Sequence, residues 1–390
     1  MRAAILTRQG DPSVLRMQDD YPVPKVGPGH EVLIRVKAIA ISSADIMTRQ
    51  GFTAGPVIIP PKIIGSECVG IIEAVSTDLE RQDDQATETR TGPDGAKYKE
   101  GDVVVALMAG MGRAFDGCYS EFVALPPACL SAPLSMIDAS SLSLVANGSS
   151  PLTWARLASI PGPFLTAYGI LTTSLQIHST DTLLVQGGSS AVGMAVATLA
   201  KNIYGLKKIV GTTRKQEKVQ KMKEGGYDKV IVLPSEQSSS CGTAGLSEMI
   251  KKEGDEPSGF TAIVELVGAT NVPVSLSCAE LSGGSRVCMA GMLAGAYHFQ
   301  QPFSPMGIVS VKYLNFTIRS SLRAWLMGGR KPPGVFLTGY SSSFPKHLRP
   351  LSSLVKAAIA GQINPKPDKV FKFEKIVKAH EYCESGAVSL

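Results

Sequence analysis

The chain has little of what would place it in several large classes of protein. Its seven cysteines (Cys68, Cys118, Cys129, Cys241, Cys278, Cys288 and Cys383) are scattered over 390 residues, with no C-x-x-C pair and no Cys/His cluster. That spacing indicates neither a structural zinc lobe nor a disulfide framework, and the apolar neighbours of most of these thiols make them small core residues in a reducing compartment. No apolar run reaches the ~18 residues of a membrane span. The net charge of +6 comes without any block of Lys and Arg interleaved with aromatics, so nucleic acid is not an expected partner. The opening MRAAILTRQGD has no apolar core of the kind a signal peptide needs, and the closing Val388-Ser389-Leu390 does not match a peroxisomal tripeptide. A cytoplasmic protein is the expectation. There is no internal repeat, and the only low-complexity patch is Ser238-Ser239-Ser240.

What is present is an apolar fraction of 44% with 39 glycines and 25 prolines, enough for large cores joined by many turns and long enough for two domains. Up to residue 125 the pattern is of short strands. Residues 31–40 (EVLIRVKAIA) alternate apolar and polar, 42–51 (SSADIMTRQG) form a short helix stopped by Gly51, and 63–75, 102–106 and 119–125 read as further strands. Residues 77–99, polar and without an apolar period, read as a surface loop. This predicts a small barrel-like domain. From about residue 157 helical and strand patterns alternate, with strands at 183–185, 209–212, 230–233, 262–267 and 286–290 between helices. That texture predicts βαβ units and a parallel sheet. Residues 314–320 read as its last strand, an apolar edge that pairing with a second copy would cover, hence a homodimer. Helices at 353–360 and 375–384 are expected to return to the first domain. The division expected is 1–162, 163–322 and 323–390.

The stretch 183–201 (LLVQGGSSAVGMAVATLAK) organises the rest. A short apolar strand runs into a corner of small residues, Gly187, Gly188, Ser189, Ser190, Ala191, Val192 and Gly193, and then into a helical pattern. Small residues let the backbone approach a pyrophosphate, and a helix N-terminus supplies free N–H groups and positive partial charge. The corner lacks the strict G-x-G-x-x-G spacing, so a plain strand-to-helix turn stays open as the alternative. About 20 residues further on, where NAD-binding folds place an acid for the ribose 2′-hydroxyl, there is none. Thr213 is followed by Arg214 and Lys215, with Lys218 one helical turn from Arg214. Cations are disfavoured at a helix N-terminus unless an anion is near, which points to a 2′-phosphate and to NADPH.

The chain resembles the zinc-free medium-chain dehydrogenases/reductases of the quinone oxidoreductase (zeta-crystallin-like) and enoyl reductase branch. The likeness spans nearly the whole length and is carried by motifs in family order. These are Ser42-x-x-Asp45-x-x-x-Arg49-x-Gly51, Gly65-x-Glu67-x-x-Gly70, Gly101-Asp102-x-Val104, Gly117-x-Tyr119-x-Glu121-Phe122, Thr166-Ala167-Tyr168, the corner Gly187 to Gly193, and Gly283-Gly284-x-Arg286-x-x-x-x-Gly291. It implies an α/β fold: a GroES-like β-rich catalytic domain plus a Rossmann doubly wound parallel-sheet domain. It also implies cofactor contacts from Ser42, Thr166, Val267, Gly268 and Gly291. Zinc members bind their metal through a Cys, a His and a second Cys; the matching positions here are Ser42, Ser66 and Gly162. Many zinc-free members have Asn where Ser42 stands and Tyr where this chain has Phe52-Thr53. The loop 77–99 is longer than usual, and the chain stops about where relatives begin a last strand.

Without a Lewis acid, hydride acceptors activated by their own conjugation are the natural substrates. The expected activity is NADPH-dependent reduction of a quinone or of the conjugated C=C of an α,β-unsaturated carbonyl. Ser42 and Thr166 are expected near the nicotinamide, with Tyr119, Tyr168 and Arg49 as candidate proton donors or carbonyl anchors. For Tyr119 a core position, and for Arg49 a helix-end charge, are the alternatives. Asp45 is expected to cap the Ser42 helix. Two other readings stand beside this one: a trans-acting enoyl reductase of a biosynthetic assembly line, marked by a basic patch, and a non-catalytic NADPH-binding protein.

Overall fold

The computed structural model describes residues 1–52, 58–76, 95–108, 110–137, 152–234, 243–280, 284–291, 314–316, 335–339 and 348–385. The expectations on Thr53, on most of the 77–99 loop, on Ser238 to Ser240, Cys241 and Gly283, and on 317–320 lie outside these residues. The chain divides into two compact units, Met1–Leu165 with Ser342–Val388, and Thr166–Ser341 with Ser389–Leu390. No helix among the described residues is long and apolar enough to cross a membrane.

The first unit is built on two antiparallel sheets. One has the order β2-β1-β4, with β1 Ala3–Leu6, β2 Leu15–Gln18 and β4 Lys62–Ile63; the other has β6-β5-β3-β7, with β3 Val32–Ile39, β5 Glu67–Val75, β6 Val103–Leu107 and β7 Phe122–Leu125. The alternation read in 31–40 is strand β3, which pairs β5 on one side and β7 on the other. Helix α1, Ser43–Gln50, follows it; α2 is Trp154–Ala158, and Pro161–Leu165 form a π-helical turn. Leu6, Ile34, Ile63, Ile72, Leu125 and Tyr119 share one buried core. Ile376, at the start of the C-terminal helix Ile376–Glu384, lies in the same core.

The second unit is a seven-stranded sheet in which every pairing is parallel. Its strands are β8 Thr182–Gln186, β9 Lys208–Thr213, β10 Lys229–Val232, β11 Ala262–Glu265, β12 Ser285–Met289, β13 Leu314–Phe316 and β14 Val335–Gly339. Their order is β10-β9-β8-β11-β12-β14-β13. Strands β8, β11 and β12 are almost wholly buried, which is why they read as unbroken apolar runs rather than alternating ones. Leu184, Val210, Ile263, Val287 and Val335 pack in its core. The sequence reading missed β14, which it gave to the returning segment. That strand lies between β12 and β13, so Leu314–Phe316 is the outermost of the described strands on that side. The helices are α3 Thr166–Gly169, which runs into a π-helical turn Ile170–Ser174, α4 Ala191–Asn202, α5 Val219–Glu224, α6 Thr243–Glu253 and α7 Val272–Ser277. Counting on into the first unit, α8 is Leu351–Ile359 and α9 is Ile376–Glu384.

Candidate cofactor and active site

The glycine corner joins β8 to α4. Gly187 has φ +74°, and a Cβ on Gly193 would fall 2.6 Å from the carbonyl oxygen of Gly188. Only glycine lets the helix begin this close to the strand end. Ser190 is the N-cap, its Oγ accepting from the Gly193 N–H at 3.2 Å. Ala191 and Val192 occupy the first turn of α4, where backbone N–H groups have no intrahelical acceptor. The hydroxyl of Tyr227, fully buried, lies 3.0 Å from the Gly188 oxygen and 2.7 Å from that of Gly193. Burial pushes the phenol far above its ordinary range, so it stays protonated and braces the corner as a donor. Beneath the corner the Gly187 N–H donates to Thr212 Oγ1 at 3.2 Å, and Thr212 Oγ1 donates to Gln186 Oε1 at 2.9 Å. Gln186 Nε2 is buried with no partner in the described structure. Thr213 Oγ1 reaches Ser189 Oγ at 3.4 Å and accepts from the Lys215 N–H at 3.2 Å.

These residues fit a dinucleotide phosphate: a helix start with unspent donors, a cradle that side chains would fill, and an orphaned amide at the strand end. The basic cluster at the end of β9 is differently built from what its spacing implied. Lys215 is extended, Gln216–Lys218 make a 3-10 turn, and α5 begins only at Val219. Arg214 and Lys218 therefore do not share a helical face; Arg214 is exposed in the connection and Lys218 half-buried in the turn. Val267 and Gly268 follow β11, and Gly291 follows β12.

In the first unit Ser42 caps α1 and is half-buried. Asp45, buried, accepts from Ser42 N at 2.9 Å and Ser42 Oγ at 3.0 Å through one oxygen, and from Ser66 N at 2.9 Å and Ser66 Oγ at 2.7 Å through the other. Burial pushes its carboxyl up and these donors oppose the shift. Asp45 is thus the cap expected of it, and it also ties α1 to the start of β5. With its hydrogen spent on Asp45, Ser42 Oγ offers lone pairs to any visiting group. Glu67, next to Ser66, accepts from the Gly162 N–H at 2.7 Å, and burial together with the charge of Asp45 pushes its carboxyl up to about 8.

Arg49 and Tyr119 leave the catalytic set. Arg49 is completely buried, its guanidinium donating to the Gly10 carbonyl at 3.1 Å and to Glu384 at 2.5 and 3.2 Å. Tyr119 is equally buried, with its hydroxyl 2.9 Å from His380 Nε2. Arg49 also faces His380 Nδ1 at 3.4 Å. A guanidinium only donates, so Nδ1 accepts and Nε2 gives its proton to Tyr119 Oη. Burial and Arg49 hold His380 down at about 3, hence neutral. Both residues close the core rather than meet a substrate. Thr166 opens α3 and, like Tyr168, is half-buried.

Two family profiles match the chain, the alcohol dehydrogenase GroES-like domain over residues 27–134 and the zinc-binding dehydrogenase over residues 191–324. The chain belongs to the medium-chain dehydrogenase/reductase superfamily. Among superfamily members it is similar to the quinone oxidoreductase of Homo sapiens, 27% identical over 292 residues that cover 75% of this chain and 73% of that one. The quinone oxidoreductase of Mus musculus is 25% identical over 384 residues, 98% and 93% of the two chains. The fold matches that of a mycobacterial protein complexed with NADPH, with a TM-score of 0.69 at 24% identity over 99% of this chain and 97% of that one. It also matches the Escherichia coli quinone oxidoreductase complexed with NADPH, again with a TM-score of 0.69, at 20% identity over 100% and 98%. The superfamily includes zinc enzymes, but the donor set here does not fit that metal. Ser42 and Ser66 are hydroxyls bonded to Asp45, and Gly162 has no side chain.

The sequence reading missed Gln186, Tyr227 and Glu265 and gave Glu67 no role. A polar residue ending an apolar strand run, as in LLVQ and AIVE, is the signal that could have found two of them.

Proposed function

We propose that this superfamily member is an NADPH-dependent reductase that passes hydride, without zinc, to a quinone or to the conjugated C=C of an α,β-unsaturated carbonyl. The observation that carries the reading is the end of β9, where Thr213 reaches Ser189 of the glycine corner and is followed by Arg214 and Lys215 rather than an acid, with Lys218 in the next turn. Charge-assisted bonds from such groups to a 2′-phosphate contribute roughly 1.5–3 kcal/mol each before solvent screening. The similarity to quinone oxidoreductases, and to folds solved with NADPH, supports the same reading. Bound NADPH would supply the hydride. In the second unit the chain's part is to hold phosphate at the start of α4. Because Ser42, Ser66 and Gly162 do not make a zinc ligand set, an acceptor activated by its own conjugation suits this chain better than a simple ketone.

A second reading, reduction of enoyl groups on an acidic carrier protein, is favoured by a basic stretch in the first unit. Lys366, Lys369, Lys372, Lys375 and Lys378 are all exposed. The acids among them are engaged elsewhere, Asp368 by Tyr382 and Glu374 by Arg2. The decay of NADPH absorbance against quinones, enones and enoyl thioesters separates the possibilities. Turnover of quinones or enones supports the first reading, and turnover confined to carrier-bound thioesters the second. NADPH binding without any turnover leaves a binding protein and overturns both.

A further inference from the structure

In an open parallel sheet, ligands bind beyond the C-terminal strand ends where the strand order reverses. Here that point lies between β8 and β11. With phosphate at the start of α4 and the adenosine ribose beyond β9, the nicotinamide half of a dinucleotide falls on the side of β11 and β12.

Glu265 ends β11, directly paired with Gln186 across the reversal, and is completely buried. One carboxyl oxygen accepts from the N–H groups of Val267 at 2.7 Å and Gly268 at 3.0 Å. The other accepts from Asn271 Nδ2 at 2.8 Å and Ser275 Oγ at 2.5 Å. Its backbone carbonyl accepts from the N–H groups of Ala290 at 3.0 Å and Gly291 at 3.3 Å. One residue therefore holds the loops after both strands. The first includes Gly268 at φ +127°, a conformation open to glycine alone, and in the second a Cβ on Gly291 would strike the Leu266 carbonyl at 2.4 Å.

In the four side-chain contacts the backbone N–H groups can only donate, and the amide and hydroxyl, which could also accept, are placed to complete a ring of donors that suits an ionised carboxylate. Burial pushes the carboxyl up, the donors oppose that without reversing it, and no cation among the described residues contributes. A buried anion without a counter-cation acts on whatever charge comes near it.

We propose that Glu265 is a positioning residue for the nicotinamide side of the cofactor crevice, and that its negative charge, with no counter-cation among the described residues, makes the protein favour the oxidised cofactor, whose ring is cationic, over the reduced one, whose ring is neutral. This rests on the nicotinamide-cofactor reading above. Differential affinity follows because only the oxidised form carries a charge for Glu265 to attract.

The test is calorimetric titration of NADP⁺ and NADPH into the full chain, Glu265→Gln and Glu265→Asp. Glutamine can keep every bond, because the Asn271 amide can flip and the Ser275 hydroxyl can rotate to accept. Only the charge is lost. NADP⁺ affinity should then fall about fivefold to tenfold further than NADPH affinity. In Glu265→Asp, which keeps the charge but shortens the reach, both affinities should fall together. If Glu265→Gln weakens both equally, or neither, the charge assignment is overturned. Should Glu265→Gln not fold by circular dichroism, Glu265→Asn against Glu265→Asp makes the same comparison. A shifted ratio in the Asn variant supports the proposal and equal ratios overturn it. If the unmodified chain binds neither cofactor, it is the underlying cofactor reading that fails.

Discussion

One buried polar cluster from each unit draws its partners from a different distance along the chain. In the first, Arg49 meets Glu384 and Tyr119 meets His380, partners 335 and 261 residues apart in the chain. In the second, the side-chain partners of Glu265 lie within ten residues of it. The long-range set closes a core by tying α1 and Tyr119 to α9. The local set shapes a loop. A second contrast sharpens this one: burial pushes both carboxyls up, but Glu67 has one donor, the Gly162 N–H, and lies near Asp45, whereas four donors oppose the shift at Glu265. The donors and the nearby charge together set how far each carboxyl is driven toward the neutral acid.

Breaking the long-range set should have the largest effect. Arg49→Met strands Glu384 and His380 without their cation. Because Glu384 keeps some exposure, 27% of its side chain, the expected cost is about 2–4 kcal/mol, at the lower end of a broken buried pair. Thermal unfolding should show a midpoint lower by roughly 10 °C, with NADPH affinity of the folded protein unchanged. A loss of affinity at full stability would return Arg49 to the active site.

Glu67→Gln should have a smaller effect that depends on pH. A carboxyl raised from 4.5 to about 8 on folding makes the folded state bind more protons than the unfolded one. Its contribution is therefore fully present below about pH 4.5 and is lost as pH rises toward about 8. Denaturant titrations across that window should show stability falling with pH in the unmodified chain and a flatter dependence in the glutamine variant. Equal slopes would mean that Glu67 is ionised in the fold. Smaller still is Tyr227→Phe, which removes the brace on Gly188 and Gly193. A net hydrogen bond of about 1 kcal/mol corresponds to roughly fivefold weaker cofactor binding, read by titration against an unfolding midpoint that moves only slightly.

The alternation of residues 31–40 and the unbroken apolar runs of the parallel strands made both halves of the fold legible, because each records one-sided or two-sided burial directly. The corner from Gly187 to Gly193 was legible because close approach admits few residue types. Arg49 was misread because nothing near it in the chain announces Glu384 or His380. Strand β14 was missed because five residues, VFLTG, carry too short a pattern to be distinguished from a connection. The shared face of Arg214 and Lys218 was an inference from helical spacing, and it gave way because α5 starts at Val219 after an extended Lys215 and a 3-10 turn. Glu265 was overlooked since its role depends on donors supplied by backbone rather than by side chains the sequence displays.

The central claim is that the end of β9 recognises a 2′-phosphate, and paired titration of the unmodified chain with NADPH and NADH tests it most directly. NADPH should bind at least about tenfold more tightly. Arg214→Ala and Lys218→Ala should each reduce NADPH affinity while leaving NADH nearly unchanged, and the preference should shrink as salt rises. Equal binding of the two cofactors by the unmodified chain would contradict the account.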